Sequence, residues 1–219
     1  MGKTAIILGA TGLTGNKLLY KLIEDNRYEK IKLFSRSKIE NLPNKVNQYI
    51  GSLLNLEQFE NNFKADEVFC CIGTTTKKTP DKNLYKQIDY GIPINAAKLS
   101  KKHDINTFIV ISAIGANKDS RVFYNKIKGK MEQSVLQQKI KNTYILRPSI
   151  IAGERNEKRT LEKIGLKIFK LVEPLLIGKL RKYRTIHANN IAQAMLYLAN
   201  TNYSEKIISS DTIEELSKK

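Results

Sequence analysis

A tyrosine and a lysine four residues apart, Tyr124 and Lys128, have the residue types and spacing needed for proton transfer. On a helix predicted over Arg121–Lys139, this spacing puts both side chains on one face. A nearby ammonium favours phenolate, so Lys128 is expected to lower the pKa of Tyr124. Such a tyrosine can protonate a carbonyl oxygen as hydride arrives, or remove the proton in the reverse direction. The alternative is an exposed pair on a solvated helix.

A serine precedes that helix at a position where it could assist the same chemistry. Ser112 ends the predicted strand Thr107–Ser112, twelve residues before Tyr124. If the helix packs against the sheet, the Ser112 hydroxyl should lie beside the tyrosine hydroxyl. A hydroxyl there can hydrogen-bond a substrate oxygen in the transition state. We therefore take Ser112, Tyr124 and Lys128 as the candidate catalytic residues.

Three glycines in register open the chain's other informative stretch, Gly9-Ala-Thr-Gly-Leu-Thr-Gly15. A predicted strand precedes them and a predicted helix follows, which is the context of a phosphate-binding loop. One glycine allows the tight turn, the next lets the backbone approach a pyrophosphate, and the third lets helix and strand pack closely. The alternative is a plain strand–helix turn. The predicted phosphate contacts are Gly9, Thr11, Gly12, Leu13, Thr14 and Gly15.

The end of the second predicted strand indicates which dinucleotide would bind. An NAD site usually carries Asp or Glu about 20 residues after the glycines, where it holds the ribose hydroxyls. This region reads Phe34-Ser-Arg-Ser-Lys38 and has no carboxylate. Arg36 can grip a 2′-phosphate with two hydrogen bonds, with Ser35 beside it. The sequence therefore favours NADP over NAD. The alternatives are a surface arginine, or one that stacks on adenine.

A polar loop after the fourth predicted strand is a further candidate contact. Gly73, Thr74 and Thr75 follow the apolar run Glu67–Ile72. In parallel sheets, ligands bind beyond the carboxyl ends of the strands. We expect these three residues to contact the cofactor, and the alternative is a simple polar loop.

Strands and helices alternate along most of the chain, which predicts an α/β fold with a doubly wound parallel sheet. We expect one domain over residues 1–219, with residues from about 150 to 219 forming a smaller substrate-side lobe. Pro93 lies inside one predicted helix and is expected to kink it. The predicted strands are Lys3–Leu8, Lys30–Phe34, Val46–Ile50, Glu67–Ile72, Thr107–Ser112, Thr143–Arg147 and Lys206–Ser209. The predicted helices are Asn16–Ile23, Asn55–Phe63, Leu84–Lys102, Arg121–Lys139, Thr160–Ile177 and Asn189–Asn200.

Composition limits the classes of partner. Lys and Arg total 38 against 21 Asp and Glu, a net charge of +17, but the basic residues are spread along the chain. Such spreading favours a solvated surface over a dedicated nucleic-acid site. The basic segment Thr160–Lys182 carries an apolar stripe. This stripe is typical of a core-facing helix, and the alternative is contact with an anionic membrane or a protein partner. A homo-oligomer also stays open.

Two adjacent cysteines, Cys70 and Cys71, are the only ones in the chain. Neighbouring residues of a strand point to opposite faces, so a shared metal is not expected. No signal peptide and no membrane span are predicted. We read both cysteines as reduced thiols in a cytoplasmic protein.

In combination, these motifs resemble the short-chain dehydrogenase/reductase superfamily, in its atypical branch that includes the Tat-interacting oxidoreductase-like protein. The resemblance spans most of residues 5–155. It implies a Rossmann fold, NAD(P) binding, and Ser112, Tyr124 and Lys128 in the catalytic positions, with Asn95 as a further candidate. The matching pieces are Gly9–Gly15, Cys70–Thr75, Ile111–Asn117, Tyr124 and Lys128 with Gly129, and Leu146–Pro148 running into Gly153–Arg155.

The predicted function is that of an NADP-dependent oxidoreductase acting on a carbonyl or alcohol. In this mechanism Lys128 is also expected to bind the cofactor by holding its ribose. The alternative is a catalytically silent NADP(H)-binding regulator or scaffold, because the resemblance supplies no substrate.

Overall fold

The protein is built around a seven-stranded parallel sheet. The computed structural model describes residues 2–152 and 176–219. The strands are β1 (Lys3–Leu8), β2 (Tyr28–Ser35), β3 (Val46–Ile50), β4 (Glu67–Cys70), β5 (Thr107–Ile111), β6 (Asn142–Arg147), β7 (Ile151–Ala152), β8 (Ile186–His187) and β9 (Ile207–Ser209). The main sheet has the order β3-β2-β1-β4-β5-β6-β9, and β7 pairs with β8 in a small second sheet. The predicted doubly wound parallel sheet is confirmed.

Helices flank the sheet, and most lie close to their predicted positions. They are α1 (Leu13–Glu24), α2 (Lys82–Lys86), α3 (Ile92–Lys102), α4 (Phe123–Leu136), α5 (Ala188–Ala199) and α6 (Ser210–Leu216). Two 3-10 segments cover Leu53–Asn62 and Gly178–Tyr183. None of the helices in the described parts of the chain is long and apolar enough to cross a membrane.

Apolar side chains cover both faces of the sheet, which explains the nearly continuous apolar runs of its strands. Phe69 joins a cluster with Leu18 of α1 and Met195 of α5. Its neighbour Val68 belongs to the opposite cluster, with Met131 of α4. Consecutive residues of a strand point to opposite faces, so one strand supplies both layers.

The last third of the chain contributes to this main core as well as to the small second sheet. Strand β9 extends the sheet beside β6, and α5 shares a cluster with α1. The predicted helix over Thr160–Ile177 falls mostly on residues 153–175, which lie outside the described residues. The end of the predicted basic segment is a separate 3-10 turn, in which Arg181 lies 3.8 Å from Glu215.

The helical segment that contains Pro93 is continuous from α2 through α3, with one π-helical turn inside it at Gln87–Gly91. The N–H of Ile92 bonds to the carbonyl of Gln87, five residues back. A proline clashes with the carbonyl four residues before it, which here belongs to Asp89. The wider turn accommodates Pro93 and sets Asp89 in the interior, fully buried. The irregularity that Pro93 predicts in this helix is thus a π turn at Gln87–Gly91.

At the amino end of the sheet, a buried polar network joins β1, β2, β4 and α5. The Tyr28 hydroxyl donates to Glu67 Oε2 at 2.6 Å and accepts from Asn200 Nδ2 at 2.8 Å. Lys3 Nζ donates to Glu67 Oε1 at 2.5 Å and to Asn200 Oδ1 at 2.9 Å. Burial raises the pKa values of both Tyr28 and Glu67. The network fastens α5 to the sheet far from the carboxyl ends of the strands.

This network generates a stability prediction. Tyr28→Phe removes a hydroxyl and leaves Glu67 Oε2 and Asn200 Nδ2 without that partner. Leaving buried polar groups unpaired costs about 1–3 kcal/mol, so the free energy of unfolding should fall by that amount in a denaturant titration. Tyr20→Phe is the matched control, because Tyr20 is an exposed tyrosine. A Tyr28→Phe protein as stable as the control would contradict the assignment.

Candidate functional site

The glycine loop between β1 and α1 has a backbone that side chains would disrupt. Gly9 has φ of +88°, in the left-handed region. A Cβ at Gly15 would lie 2.2 Å from the Gly9 carbonyl oxygen. The N–H of Gly12 bonds to that same oxygen at 3.0 Å. These glycines therefore give a compact turn with helix α1 packed directly against it.

The first turn of α1 is open for an anion. Its N-cap, Gly12, is extended and makes no side-chain cap, and the first turn has no acidic residue. Free N–H groups and the positive end of the helix dipole are thus available to a phosphate. Thr11 and Gly12 are exposed, Leu13 is half-buried, and Thr14 is buried. The structure thus brings the predicted phosphate contacts together on one turn, with the Thr14 side chain directed into the protein.

The end of β2 lies beside this turn, because Leu8 is in register with Phe34. Arg36 is exposed, and within residues 2–152 and 176–219 its guanidinium has no acidic partner. Ser35 is buried, and its hydroxyl donates to the Ser37 carbonyl at 2.6 Å. Arg36 is therefore free to meet a phosphate, whereas Ser35 shapes the turn that presents it.

The loop after β4 is fixed by internal hydrogen bonds. The N–H of Thr74 donates to Asp89 Oδ2 at 2.8 Å, and its hydroxyl pairs with that of Thr79 at 2.9 Å. The Thr75 carbonyl accepts the N–H groups of both Lys78 and Thr79. The polar groups of Thr74 are thus engaged with the protein. The cofactor contacts predicted for Gly73, Thr74 and Thr75 stay predictions, and of these three residues Gly73 is exposed whereas the two threonines are half-buried.

Lys128 meets a partner that the sequence reasoning missed. Its Nζ lies 2.9 Å from Asp89 Oδ1, and the two side chains are 4% and 0% exposed. The ammonium also donates to the Ile111 carbonyl at 3.4 Å. Burial is the largest single influence and lowers the pKa of Lys128, but the charges of Asp89 and Tyr124 and the hydrogen bond to Asp89 together outweigh it, so the net pKa is raised. Lys128 is therefore a charged ammonium held at the ends of β4 and β5.

Tyr124 lies one helical turn before Lys128 on α4 and is half-buried. Among the described residues its hydroxyl has no hydrogen-bond partner. The expectation of a lowered pKa is wrong in its net direction. Burial raises the pKa of Tyr124 and outweighs the lowering by Lys128, while Asp89 raises it further. The ammonium acts in the expected sense, but burial acts more strongly, and the Asp89 carboxylate that lies 2.9 Å from Lys128 Nζ offsets part of the lowering.

The Ser112 hydroxyl has a partner that the sequence did not predict. Ser112 is buried at the end of β5, and its hydroxyl donates to Glu132 Oε1 at 2.5 Å. Glu132 in turn accepts from Arg147 Nε at 2.9 Å and from its second guanidinium nitrogen at 2.5 Å. Tyr124, Lys128 and Glu132 follow one another at intervals of four along α4. This spacing is the sequence signal that could have indicated Glu132.

Comparison with known proteins places the chain in a family. The profile of the NAD(P)H-binding family matches residues 9–163. Protein HTATIP2 of Rattus norvegicus is 32% identical over 171 residues, covering 76% of this chain and 70% of that protein. FMP52-2 of Scheffersomyces stipitis is named a mitochondrial protein. It is 32% identical over 228 aligned positions, which cover 100% of this chain and 100% of that protein.

Solved structures agree in fold. A UDP-glucose 4-epimerase of Thermotoga maritima superimposes with a TM-score of 0.70 at 17% identity, covering 98% of this chain and 81% of that one. The Bordetella bronchiseptica enzyme WbmH, solved with NAD+, gives a TM-score of 0.72 at 15% identity, covering 100% and 80%. At these identities the likeness concerns the fold.

The predicted cytoplasmic location is contradicted by these comparisons. FMP52 proteins from Scheffersomyces stipitis and Debaryomyces hansenii are named mitochondrial. The reading rested on reduced cysteines and on a first apolar run too short for a signal peptide. Those features report on redox state and secretion, and they carry no information on organelles.

The glycine loop, the uncapped start of α1 and the Tyr124–Lys128 pair lie at the carboxyl ends of one parallel sheet, and all of them fall within the matched residues 9–163. The chain therefore belongs to the NAD(P)H-binding family and is an atypical short-chain dehydrogenase/reductase.

Proposed function

We propose that this protein is an NADP-dependent oxidoreductase that interconverts a carbonyl and an alcohol. The observation that carries the proposal is the placement of two sites at one sheet edge. The glycine loop follows β1, and the Tyr124–Lys128 pair packs over the ends of β4 and β5. Strand β4 separates β1 from β5 in the sheet, and its loop carries Gly73 between the two. A dinucleotide bound at the loop would place its reactive end near the tyrosine.

The residues present fit a dinucleotide. The N–H groups at the start of α1 would hold the phosphates, and Arg36 would hold a 2′-phosphate. When bound, the nicotinamide would supply or accept hydride at the substrate carbon. Tyr124 would give its phenol proton to the carbonyl oxygen and regain one from solvent. Lys128 would stabilise the negative charge that develops there.

A silent NADP(H)-binding regulator is the second candidate, and a specific observation favours it. The hydroxyl proton of Ser112 is engaged with Glu132, so it is not free for a substrate oxygen. This candidate keeps the dinucleotide site and dispenses with turnover.

The tyrosine tests the catalytic role. Tyr124→Phe keeps the ring and removes the proton, so turnover should fall by about 10²–10⁴-fold, the usual contribution of general acid catalysis. NADPH affinity, measured by fluorescence titration, should stay within about twofold of the wild-type value. The reason is that the Tyr124 hydroxyl has no hydrogen-bond partner among the described residues. Tyr183→Phe is the control, since Tyr183 is exposed. Unchanged turnover in Tyr124→Phe would remove the tyrosine from the mechanism. NADPH binding without turnover by the wild type on any carbonyl would favour the regulator.

Arg36 tests the choice of cofactor. Arg36→Ala should weaken NADPH binding by about 10- to 150-fold, because a charge-assisted hydrogen bond contributes about 1.5–3 kcal/mol. NADH affinity should be unaffected, because NADH has no 2′-phosphate. Titrations of both cofactors measure the difference, with Arg121→Ala as the control at another exposed arginine. Equal losses for both cofactors would mean that Arg36 stacks on adenine instead.

The glycine loop tests cofactor binding itself. Gly15→Ala would put a Cβ 2.2 Å from the Gly9 oxygen and displace the turn, whereas a Cβ at Gly91 would meet nothing within 4 Å. The first change should therefore abolish measurable NADPH binding in calorimetry, and Gly91→Ala should preserve it. Full affinity in Gly15→Ala would place the dinucleotide elsewhere.

A further inference from the structure

The buried contact between Asp89 and Lys128 involves a carboxylate that lies outside the motifs identified in the sequence. The Asp89 carboxylate is fully buried, and its two oxygens contact different groups. Oδ2 accepts the N–H of Thr74 at 2.8 Å, and Oδ1 lies 2.9 Å from Lys128 Nζ. A buried carboxylate that meets an ammonium in this way neutralises its charge within the protein.

Backbone features bring Asp89 to this position. It lies in the π turn at Gln87–Gly91, four residues before Pro93. Gly73 lies over the ion pair, since a Cβ there would be 3.7 Å from Asp89 Oδ1 and 3.8 Å from Lys128 Nζ. The bond from Thr74 ties the same carboxylate to the loop after β4. The helix, the loop and α4 therefore meet at one pair of charges.

We propose that Asp89 is a positioning residue of this site: its carboxylate fixes the Lys128 ammonium and offsets part of its charge, which adds to the effect of burial in keeping Tyr124 protonated as a proton donor. The proposal rests on the proposed function for its catalytic meaning, but its electrostatic content can be measured without turnover. A phenol that holds its proton suits carbonyl reduction, in which the tyrosine O–H bond breaks and the new alcohol O–H forms. The site is thereby biased toward reduction at neutral pH.

The titratable groups around the pair come from each of the packed elements. Tyr124 faces it from α4, Tyr85 from α2 and Cys70 from β4. Burial raises the pKa of Tyr85, and it raises that of Cys70 to about 12. Both groups are therefore neutral at pH 7, and Asp89 is the anion that balances Lys128.

The test follows the charge on Tyr124 and Lys128 directly. Carbon-13 NMR of labelled tyrosine and lysine is recorded from pH 6 to 10.5, with Tyr124→Phe and Lys128→Met used to assign the signals. In the wild type both side chains should stay protonated to about pH 10, near the ordinary values. Ionisation of Tyr124 below pH 9, or a neutral Lys128 at pH 7, would overturn the proposal.

The variant Asp89→Asn keeps the shape and can still accept the Thr74 N–H, but it removes the charge. The Tyr124–Lys128 pair should then lose its first proton with a dissociation constant at least tenfold larger, whichever residue releases it. Asp81→Asn is the control, because Asp81 caps α2 and Asn caps a helix equally well. Identical titrations of Asp89→Asn and the wild type would overturn the proposal. If Asp89→Asn does not fold, the Lys128 signal of the wild type decides, because a buried lysine without a countercharge would have a lowered pKa.

Kinetics separate this proposal from the proposed function. With a reducible carbonyl and NADPH, the wild-type reduction rate should be level from pH 6 to 9, and that of Asp89→Asn should fall toward the alkaline end. Absence of turnover in the wild type would contradict the proposed function but not the role of Asp89, because the NMR titration tests that role without turnover.

Discussion

A buried ammonium requires a neighbouring carboxylate, and this requirement fixes the elements at the carboxyl ends of β4 and β5. Removing one partner of a buried ion pair costs about 3–5 kcal/mol, so the elements that carry Lys128 and Asp89 are tied together. Lys128 comes from α4, Asp89 comes from a π turn, and Thr74 connects the carboxylate to the loop after β4. The tyrosine and the dinucleotide loop are placed around this pair.

The two ends of β4 serve different purposes. At its amino end, Glu67 is satisfied by Tyr28 and Lys3, and the network fastens α5 onto the sheet. At its carboxyl end, Gly73 exposes backbone beside the charged pair. A parallel sheet collects the carboxyl ends of its strands on one edge, which is where ligands bind. Buried polar groups at the other edge can therefore be fully satisfied without competing with a ligand.

The strands, the glycine loop and the Tyr124–Lys128 pair could be predicted because their signals are local. Runs such as Thr107–Ile111 are buried on both faces and read as continuous apolar stretches. Asp89 and Glu132 could not be found that way, because their partners lie in other elements and pairing depends on packing. Their traces in the sequence are indirect: Pro93 four residues after Asp89, and the spacing of Glu132 from Lys128. The pKa of Tyr124 was mispredicted for the same reason. The sequence shows Lys128 four residues away, but it does not show the burial of Tyr124 or the negative charge of Asp89.

The role of Ser112 follows from counting its hydrogen-bonding capacity. A serine hydroxyl has one proton and two lone pairs, and here the proton is given to Glu132, which Arg147 holds with two further bonds. A substrate carbonyl oxygen has no proton to offer, so Ser112 cannot bond to it while this arrangement persists. It can still accept a hydrogen bond from an alcohol or from a tyrosine hydroxyl. Under the proposed function, Tyr124 is then the donor toward a carbonyl at this site, and the pair acts only while the tyrosine is protonated.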